Sequence, residues 1–516
     1  MWAGPALCLV LGLGCGSVHA TEPVQWFDGG RPSAQALEAV ALLADAAADG
    51  LEPLDYDAPA LQSAVAAASA QSEPAVLARM GATLTLAMQR YLSDLHSGRI
   101  DPRQVHARFD LPRGNPFDPA ATLAAAVVAK RLPQAVREAA PGLPLYAHLR
   151  EVLAQYRALG QHPAWGSPLP PLRANKLEPS QTYAGLALLT QRLQALGDLR
   201  ADVPTPERYE GPLVAAVQSF QQRHGLGSDG VVGAATLAAL NVSPAQRAHQ
   251  IALTLERLRW TPLLQGPRMI VVNVPEFVLR AYEIRKDRVD VKLEMKVVVG
   301  RTLNTRTPLF GSDMRFIEFS PYWNVPPSIA RLETVPRLKR DPAYFNKEGF
   351  EFVARDGRVS TTLDKAQLEA VLRGELRIRQ RPGPVNALGD IKFVFPNNDG
   401  IYLHHTPAPQ LFERDRRDFS HGCIRVQEPV ELAKFVLQDQ PDWTEARIRE
   451  AMNRGESHTL RLDQPLPVLI VYVTALFKQG RPYFFADLYG HDRLLDQALG
   501  RRSVKSALWP AQKPKP

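Results

Sequence analysis

The hydrophobic rhythm of the chain changes at Trp260, and that change rules out any single repeating architecture. Before it, apolar residues recur every three or four positions, as in 34–49 and 77–95, the spacing of helices that bury one stripe. After it, RMIVVNVPEFVLRAYEI, VDVKLEMKVVVG, MRFIEFSPYWNV and GDIKFVFP alternate apolar and polar residues and favour β-branched and aromatic types. IYLHHT and PVLIVYVTALF read as two further strands. The predicted fold is multidomain α+β: a helical scaffold, a small three-helix domain, and a mainly antiparallel β domain with an inserted lid segment. With 516 residues, 45% hydrophobic and 22% charged, the chain has material for two to four domains of roughly 100–200 residues each. Neither a disordered chain nor a disulfide-stapled miniprotein fits.

Boundaries follow from local composition. Residues 1–20, MWAGPALCLVLGLGCGSVHA, carry no charged side chain and hold about ten apolar residues, short of the roughly 20 that span a bilayer. Val18 and Ala20 suit cleavage before Thr21, so the segment reads as an export signal. Lipidation at Cys15 is the weaker alternative, because Gly12 stands where such a site wants a larger aliphatic residue. Residues 21–175 form the helical scaffold, closed by the proline-rich GSPLPPL at 166–172. In it, SDLHSGRIDP at 93–102 reads as a solvated helix end. The small helical domain covers 176–250, with 213–223 as an amphipathic helix whose stripe includes Val214, Val217 and Phe220, and a second helix from about Ala234. The β domain covers 265–495, interrupted at about 324–384 by a polar, partly helical stretch too long for a hairpin loop and suited to cover a site. A tail, 496–516, remains. The net charge of +8 is scattered rather than blocked, a weak argument for nucleic acid.

Two of the three cysteines lie in the export segment, which leaves Cys423 alone in the mature chain. A lone thiol in an oxidising compartment is either buried and inert or kept for its chemistry. Its surroundings, IYLHHTPAPQLFERDRRDFSHGCIRV at 401–426, favour chemistry, since a neighbouring imidazole can take the thiol proton. In an extended strand Tyr402 and His404 share one face and His405 takes the other. His421 and Cys423 would also share a face, so spacing leaves His421 open as the base. His404 is preferred because it ends an apolar β run just before Thr406-Pro407. Gly422 lets the backbone bend and lets a carbonyl approach N–H groups that could form an oxyanion hole. Arg425 could favour the thiolate, grip a substrate carboxylate or make a structural ion pair. Ser420 could orient the turn or hydrogen-bond the base. A zinc site from His404, His405, His421 and Cys423 would need strand neighbours that point apart, so no metal and no cofactor is expected. No Gly-x-Ser-x-Gly supports a serine nucleophile.

FQQRHGL, DGVVG and the following TLAALN resemble the three-helix peptidoglycan-binding domain of bacterial wall enzymes. SHGCIR with an upstream His-x-Thr resembles the active-site signature of the L,D-transpeptidases, cysteine enzymes that cross-link peptidoglycan. The likeness extends to NVPEFVLRAYE, VVVGR, TPLF, PYWNVPPSIAR and RQRPGPVNALGDIKF, and the layout is similar to the large periplasmic type of that family. The resemblance implies Cys423 as nucleophile, His404 as catalytic histidine, and Ser420, His421, Gly422 and Arg425 as its surroundings. Tyr402 falls where some relatives carry a tyrosine near the thiol, and His405 departs from their usual Gly or Asp. It further implies a periplasmic enzyme acting on tetrapeptide stems as donor and acceptor, trapped by carbapenems, with wall-synthesis proteins as potential partners and membrane contact only through a lipid anchor. Rivals on the same residues are an L,D-carboxypeptidase, a lipoprotein-anchoring enzyme and a noncatalytic wall-binding scaffold.

Overall fold

The computed structural model describes residues 24–503 apart from 107, 108, 110–115, 262–265, 287 and 304. The expected export signal and residues 504–516 of the expected tail lie outside the described residues.

A short hairpin, β1 (Phe27–Asp28) with β2 (Arg31–Pro32), leads into α1 (Ala34–Ala44), α2 (Ala58–Ala67), α3 (Pro74–Ser97), α4 (Pro119–Val128) and α5 (Leu132–Ala139). The long α3 starts on Pro74, where a missing N–H costs nothing, and stops at Gly98, whose φ of 79° a side chain would resist. Leu84, Met88, Tyr91, Leu92 and Leu95 bury its inner stripe against α1, α2 and α5. The α6 helix (Pro144–Leu159) instead packs on the later α10. The three helices α7 (Leu186–Ala195), α8 (Pro212–Arg223) and α9 (Ala234–Asn241) close a separate small core around Leu189, Leu193, Val217, Phe220 and Leu240. On α8 the buried stripe is Leu213, Ala216, Val217 and Phe220, while Val214 lies at its margin.

The α10 helix (Pro244–Trp260), opened by a capping box between Ser243 and Gln246, ties these parts together. Its fully buried Glu256 accepts from the Arg99 backbone N–H at 2.5 Å, Arg99 Nε at 3.2 Å and Arg259 Nη1 at 2.9 Å. Arg259 in turn donates to the Asp49 carbonyl and, at 2.8 Å, to the Tyr146 hydroxyl. Burial alone would raise the Glu256 carboxyl; Arg99 and Arg259 outweigh it and hold the pKa below its usual value. Arg99 therefore does not sit on a solvated helix end, as its sequence context suggests: its side chain is 7% exposed and pairs across the domain boundary. Glu256→Ala should remove the carboxylate shared by two buried guanidinium groups and cost about 3 kcal/mol, read as a lowered denaturation midpoint.

The β domain consists of β3 (Arg268–Asn273), β4 (Val278–Arg285), β5 (Arg288–Gly300), β6 (Phe310–Phe319), the insertion, and then β11 (Ile391–Val394), β12 (Leu403–His404), β13 (Asp418–Ser420), β14 (Ile424–Val426) and β15 (His458–Val471). The insertion is β7 (Trp323–Asn324), α11 (Pro327–Ile329), a π-helical turn at Ala330–Thr334, α12 (Val335–Arg340), α13 (Ala343–Lys347), β8 (Phe350–Ala354), β9 (Val359–Ser360), α14 (Lys365–Arg373) and β10 (Leu376–Gln380). It has its own four-stranded sheet and its own core of Leu338, Phe345, Phe350, Phe352 and Ile378. It is thus a small α/β unit rather than a polar excursion. The main sheet runs β13-β5-β14-β12-β11-β6-β15-β3-β4, and β4 also pairs with β5, so the sheet closes on itself. Most pairs are antiparallel; β12–β14, β13–β5 and β15–β3 are parallel, which makes the sheet mixed. Helices α15 (Pro429–Val436) and α16 (Glu445–Asn453) pack against its core, and the hairpin β16 (Ala475–Lys478) with β17 (Arg481–Phe484) joins α6 and α10. A last helix, α17 (His491–Ser503), continues through the expected domain end at 495, because Leu495 and Leu499 bury against Leu253 and Trp260.

Candidate active site

Cross-strand register builds the site. Glu318 of β6 is paired with Lys392 of β11, Lys392 with His404 of β12, and His404 with Arg425 of β14. Directly paired residues share a face, so these four polar side chains form one row across four strands. Their strand neighbours Ile317, Phe393, Leu403, Ile424 and Val426 take the opposite face and enter the core. Two residues back along β12 and toward the start of β14, Tyr402 and Cys423 form the next row on the polar face. His404 is then diagonal to Cys423, a separation of about 7–8 Å between backbones that a ring and a thiol can bridge.

The turn that presents the thiol is clamped from several sides. Ser420 Oγ donates to the Cys423 carbonyl at 2.5 Å and accepts from the Gly422 N–H at 3.1 Å. Gly422 has a φ of 119°, and an added Cβ would stand 3.2 Å from Ile401, so only glycine suits this corner. Thr307 Oγ1 donates to the Gly422 carbonyl at 2.8 Å, and Thr305 Oγ1 and the Arg301 N–H donate to the Ser420 carbonyl at 3.1 and 3.0 Å. Behind them the Tyr489 hydroxyl donates to the Gly300 carbonyl at 2.7 Å. A Cβ on Gly300 would lie 1.9 Å from the Thr305 carbonyl oxygen, so this loop closes only over a glycine. The Gly422 N–H is thus occupied, while the Cys423 N–H has no partner among the described residues.

The three histidines have separate surroundings. His405 points to the other face, where its Nδ1 meets Asp390 Oδ1 at 2.8 Å and its ring packs on Gly389. His421 reaches outward, with Nε2 at 2.6 Å from Glu333 Oε1 on the π-helical turn of the insertion. His404 alone stays buried on the polar face. Its Nδ1 lies 2.5 Å from the His405 carbonyl, which makes Nδ1 the protonated nitrogen and leaves Nε2 as the acceptor. In this resting arrangement the Cys423 thiol donates to the Gly400 carbonyl at 3.7 Å and no hydrogen bond joins it to His404. Catalytic contacts of this kind are often made only with substrate bound.

Electrostatics at the site favour neutral resting groups. Burial, then Arg425, pushes the His404 imidazole down to about 3. Burial pushes the Cys423 thiol up from its ordinary value, while hydrogen bonding to Tyr402 and the charges of Lys392 and Arg425 pull it back. Tyr402, buried against the sulfur, is held well above its usual value by burial and by Cys423. Arg425 is lowered by burial and by Arg301, and its Nε is buried without a partner. The structural ion pair open to Arg425 on sequence grounds is not formed among the described residues. Among those residues no group of three His, Cys, Asp or Glu side chains is gathered as a metal ion would require.

Sequence reasoning brought Tyr402, His404, Ser420, Gly422, Cys423 and Arg425 to this face, and His421 to its edge. It missed Lys392, Glu318, Thr305, Thr307, Tyr489 and Glu333. For Gly300 the VVVGR stretch carried a signal, a glycine ending a strongly apolar strand, but Tyr489 lies in a segment with none.

Three family descriptions match parts of the chain. Residues 267–449 match the family described as the L,D-transpeptidase catalytic domain, residues 20–153 match a scaffold domain, and residues 182–240 match a peptidoglycan binding domain. A Haemophilus influenzae protein named "Putative L,D-transpeptidase" is 32% identical over 252 residues, 48% of this chain and 49% of the relative, so the chain spans about half the length of that protein. Two solved structures share partial likeness. One is a fused Zn-dependent amidase/peptidase/peptidoglycan-binding domain-containing protein of Clostridium acetobutylicum, with TM-score 0.12 and 15% identity over 27% of this chain and 69% of that one. The other is Bdellovibrio bacteriovorus Bd1075, with TM-score 0.17 and 14% identity over 46% and 55%. At such scores neither carries an argument.

Proposed function

We propose that this chain, which carries an L,D-transpeptidase catalytic domain and a peptidoglycan-binding domain, forms 3→3 cross-links in peptidoglycan through a thioester on Cys423. The observation that carries the reading is the shared sheet face of Cys423, Tyr402, His404 and Arg425. Cys423 Sγ attacks the carbonyl between the third residue of a tetrapeptide stem, a diaminopimelate, and its terminal D-Ala. His404 Nε2 takes the thiol proton and returns it to the departing D-Ala amine, leaving the acyl-enzyme. The Cys423 N–H faces the developing oxyanion, with Gly422 giving the substrate room. Arg425, charged and with no ion pair among the described residues, suits a stem carboxylate. The side-chain amine of a second stem's diaminopimelate then attacks the thioester, loses its proton to His404, and Cys423 recovers it.

The inserted unit supports transfer to an amine over transfer to water. Its Glu333 grips His421, two residues from the nucleophile, so it stands where closure would exclude solvent. The peptidoglycan-related domains support a periplasmic or cell-wall location. No described helix is long and apolar enough to cross a membrane. Incubation of the purified protein with tetrapeptide muropeptides, followed by mass spectrometry, tests the proposal. Cross-linked dimers with loss of D-Ala are expected; tripeptide alone would make it a carboxypeptidase, and no turnover would leave a wall-binding scaffold.

A further inference from the structure

The polar row that contains His404 also contains Lys392, whose charge has entered so far only as one of those that favour the Cys423 thiolate. Its ammonium pairs with Glu318 Oε2 at 3.0 Å and stands 4.5 Å from the centre of the Tyr402 ring. Its side chain is only 17% exposed, so the charge is held partly out of water over an aromatic face. Tyr402 in turn faces the Cys423 sulfur. Glu318, Lys392, Tyr402 and Cys423 thereby form a continuous line from β6 to the nucleophile.

A Lys–Glu pair near a surface adds little to stability, of order 0–1 kcal/mol, so stability alone gives weak reason for this placement. A cation over a phenol ring draws electron density from the hydroxyl and makes it a stronger hydrogen-bond donor. A stronger donor beside a thiol favours the anionic sulfur over the neutral one. We propose that Lys392 is a positioning residue that acts through Tyr402 to raise the thiolate fraction of Cys423, and that Glu318 tempers this effect. The other groups facing the sulfur leave room for such a contribution. Arg425 acts in the same sense from β14, with Arg301 beyond it; His404 is neutral; His421 is turned to Glu333; Asp390 is engaged by His405 on the far face. Burial keeps the Tyr402 phenol protonated, as a donor must be.

The inference rests on Cys423 being the nucleophile, and its test reads thiol ionisation rather than cross-linking, so the two readings fail separately. The full chain is alkylated with iodoacetamide from about pH 6 to 11, and Cys423 adduct formation is followed by intact mass. K392M should slow alkylation at neutral pH by about three- to tenfold, a rise of roughly half to one unit in the apparent thiol pKa, with the plateau at high pH unchanged. K392R should restore most of the rate. E318Q should move the profile the other way, with faster alkylation at neutral pH. A purely structural role predicts that both variants shift alike. Superimposable profiles for K392M and the parent, or slowing by both K392M and E318Q, would overturn the proposal. Should K392M fail to fold, the sign of the E318Q shift decides alone.

Discussion

Cys423→Ser leaves the protein folded and reduces muropeptide cross-linking by at least about a thousandfold. The substitution is nearly isosteric at a partly buried position beside the core, so a thermal melt should move little. The chemistry does not survive it. A hydroxyl ionises far less readily than a thiol, and burial, which pushes the His404 pKa down to about 3, weakens the base that would have to take its proton. Nothing around the site compensates, because Tyr402 and Lys392 favour an anion already within reach of ionisation rather than create one. Mass spectrometry of products, together with loss of a carbapenem adduct at this position, checks the result. Cross-linking near the parent rate would place the nucleophile elsewhere.

His404→Ala should lower the acylation rate by about 10²–10⁴, far more than His421→Ala. His404 precedes Cys423 by 19 residues and His421 by two, and their surroundings differ. His404 is buried, fixed through Nδ1 by the His405 carbonyl, and keeps Nε2 for the thiol. His421 is spent on Glu333, so its loss should loosen the inserted unit and raise KM more than it lowers kcat. Single-turnover acylation by a carbapenem separates the two effects, and the reverse order would transfer the base role to His421. The same burial sets a pH dependence. A base must be neutral to accept a proton, and the His404 pKa of about 3 keeps it so far below the ordinary 6.5. The acid limb of the acylation profile should therefore fall near pH 3, unless another group imposes an earlier one.

How much of this was legible in the chain depends on how local the signal is. The α3 and α8 helices announce themselves through three- and four-residue spacing, and the closing strands through alternation, because both patterns sit within one element. Tyr402 and His404 could be set on one face because strand parity assigns faces before any partner is known, whereas Cys423 joined them only through the family resemblance. Which strand lies beside which is a different kind of information. The Glu318–Lys392–His404–Arg425 row exists only once β6, β11, β12 and β14 are aligned, and no spacing along the chain encodes that alignment. Arg99 looked like a surface residue for the same reason, since its partner Glu256 lies 157 residues along the chain. The insertion was underestimated because its strands, Phe350–Ala354 and Leu376–Gln380, are short and carry Glu or Arg between their apolar residues.

The clamp behind the nucleophilic turn has a further consequence, for the timing of activity. Gly300 and Thr307 are synthesised long before Cys423, but the hydroxyl that locks their loop belongs to Tyr489, and β15, which fills the gap between β6 and β3, is also made after the thiol. A growing or newly threaded polypeptide thus carries its reactive sulfur on an unshaped segment until almost all of its length has emerged.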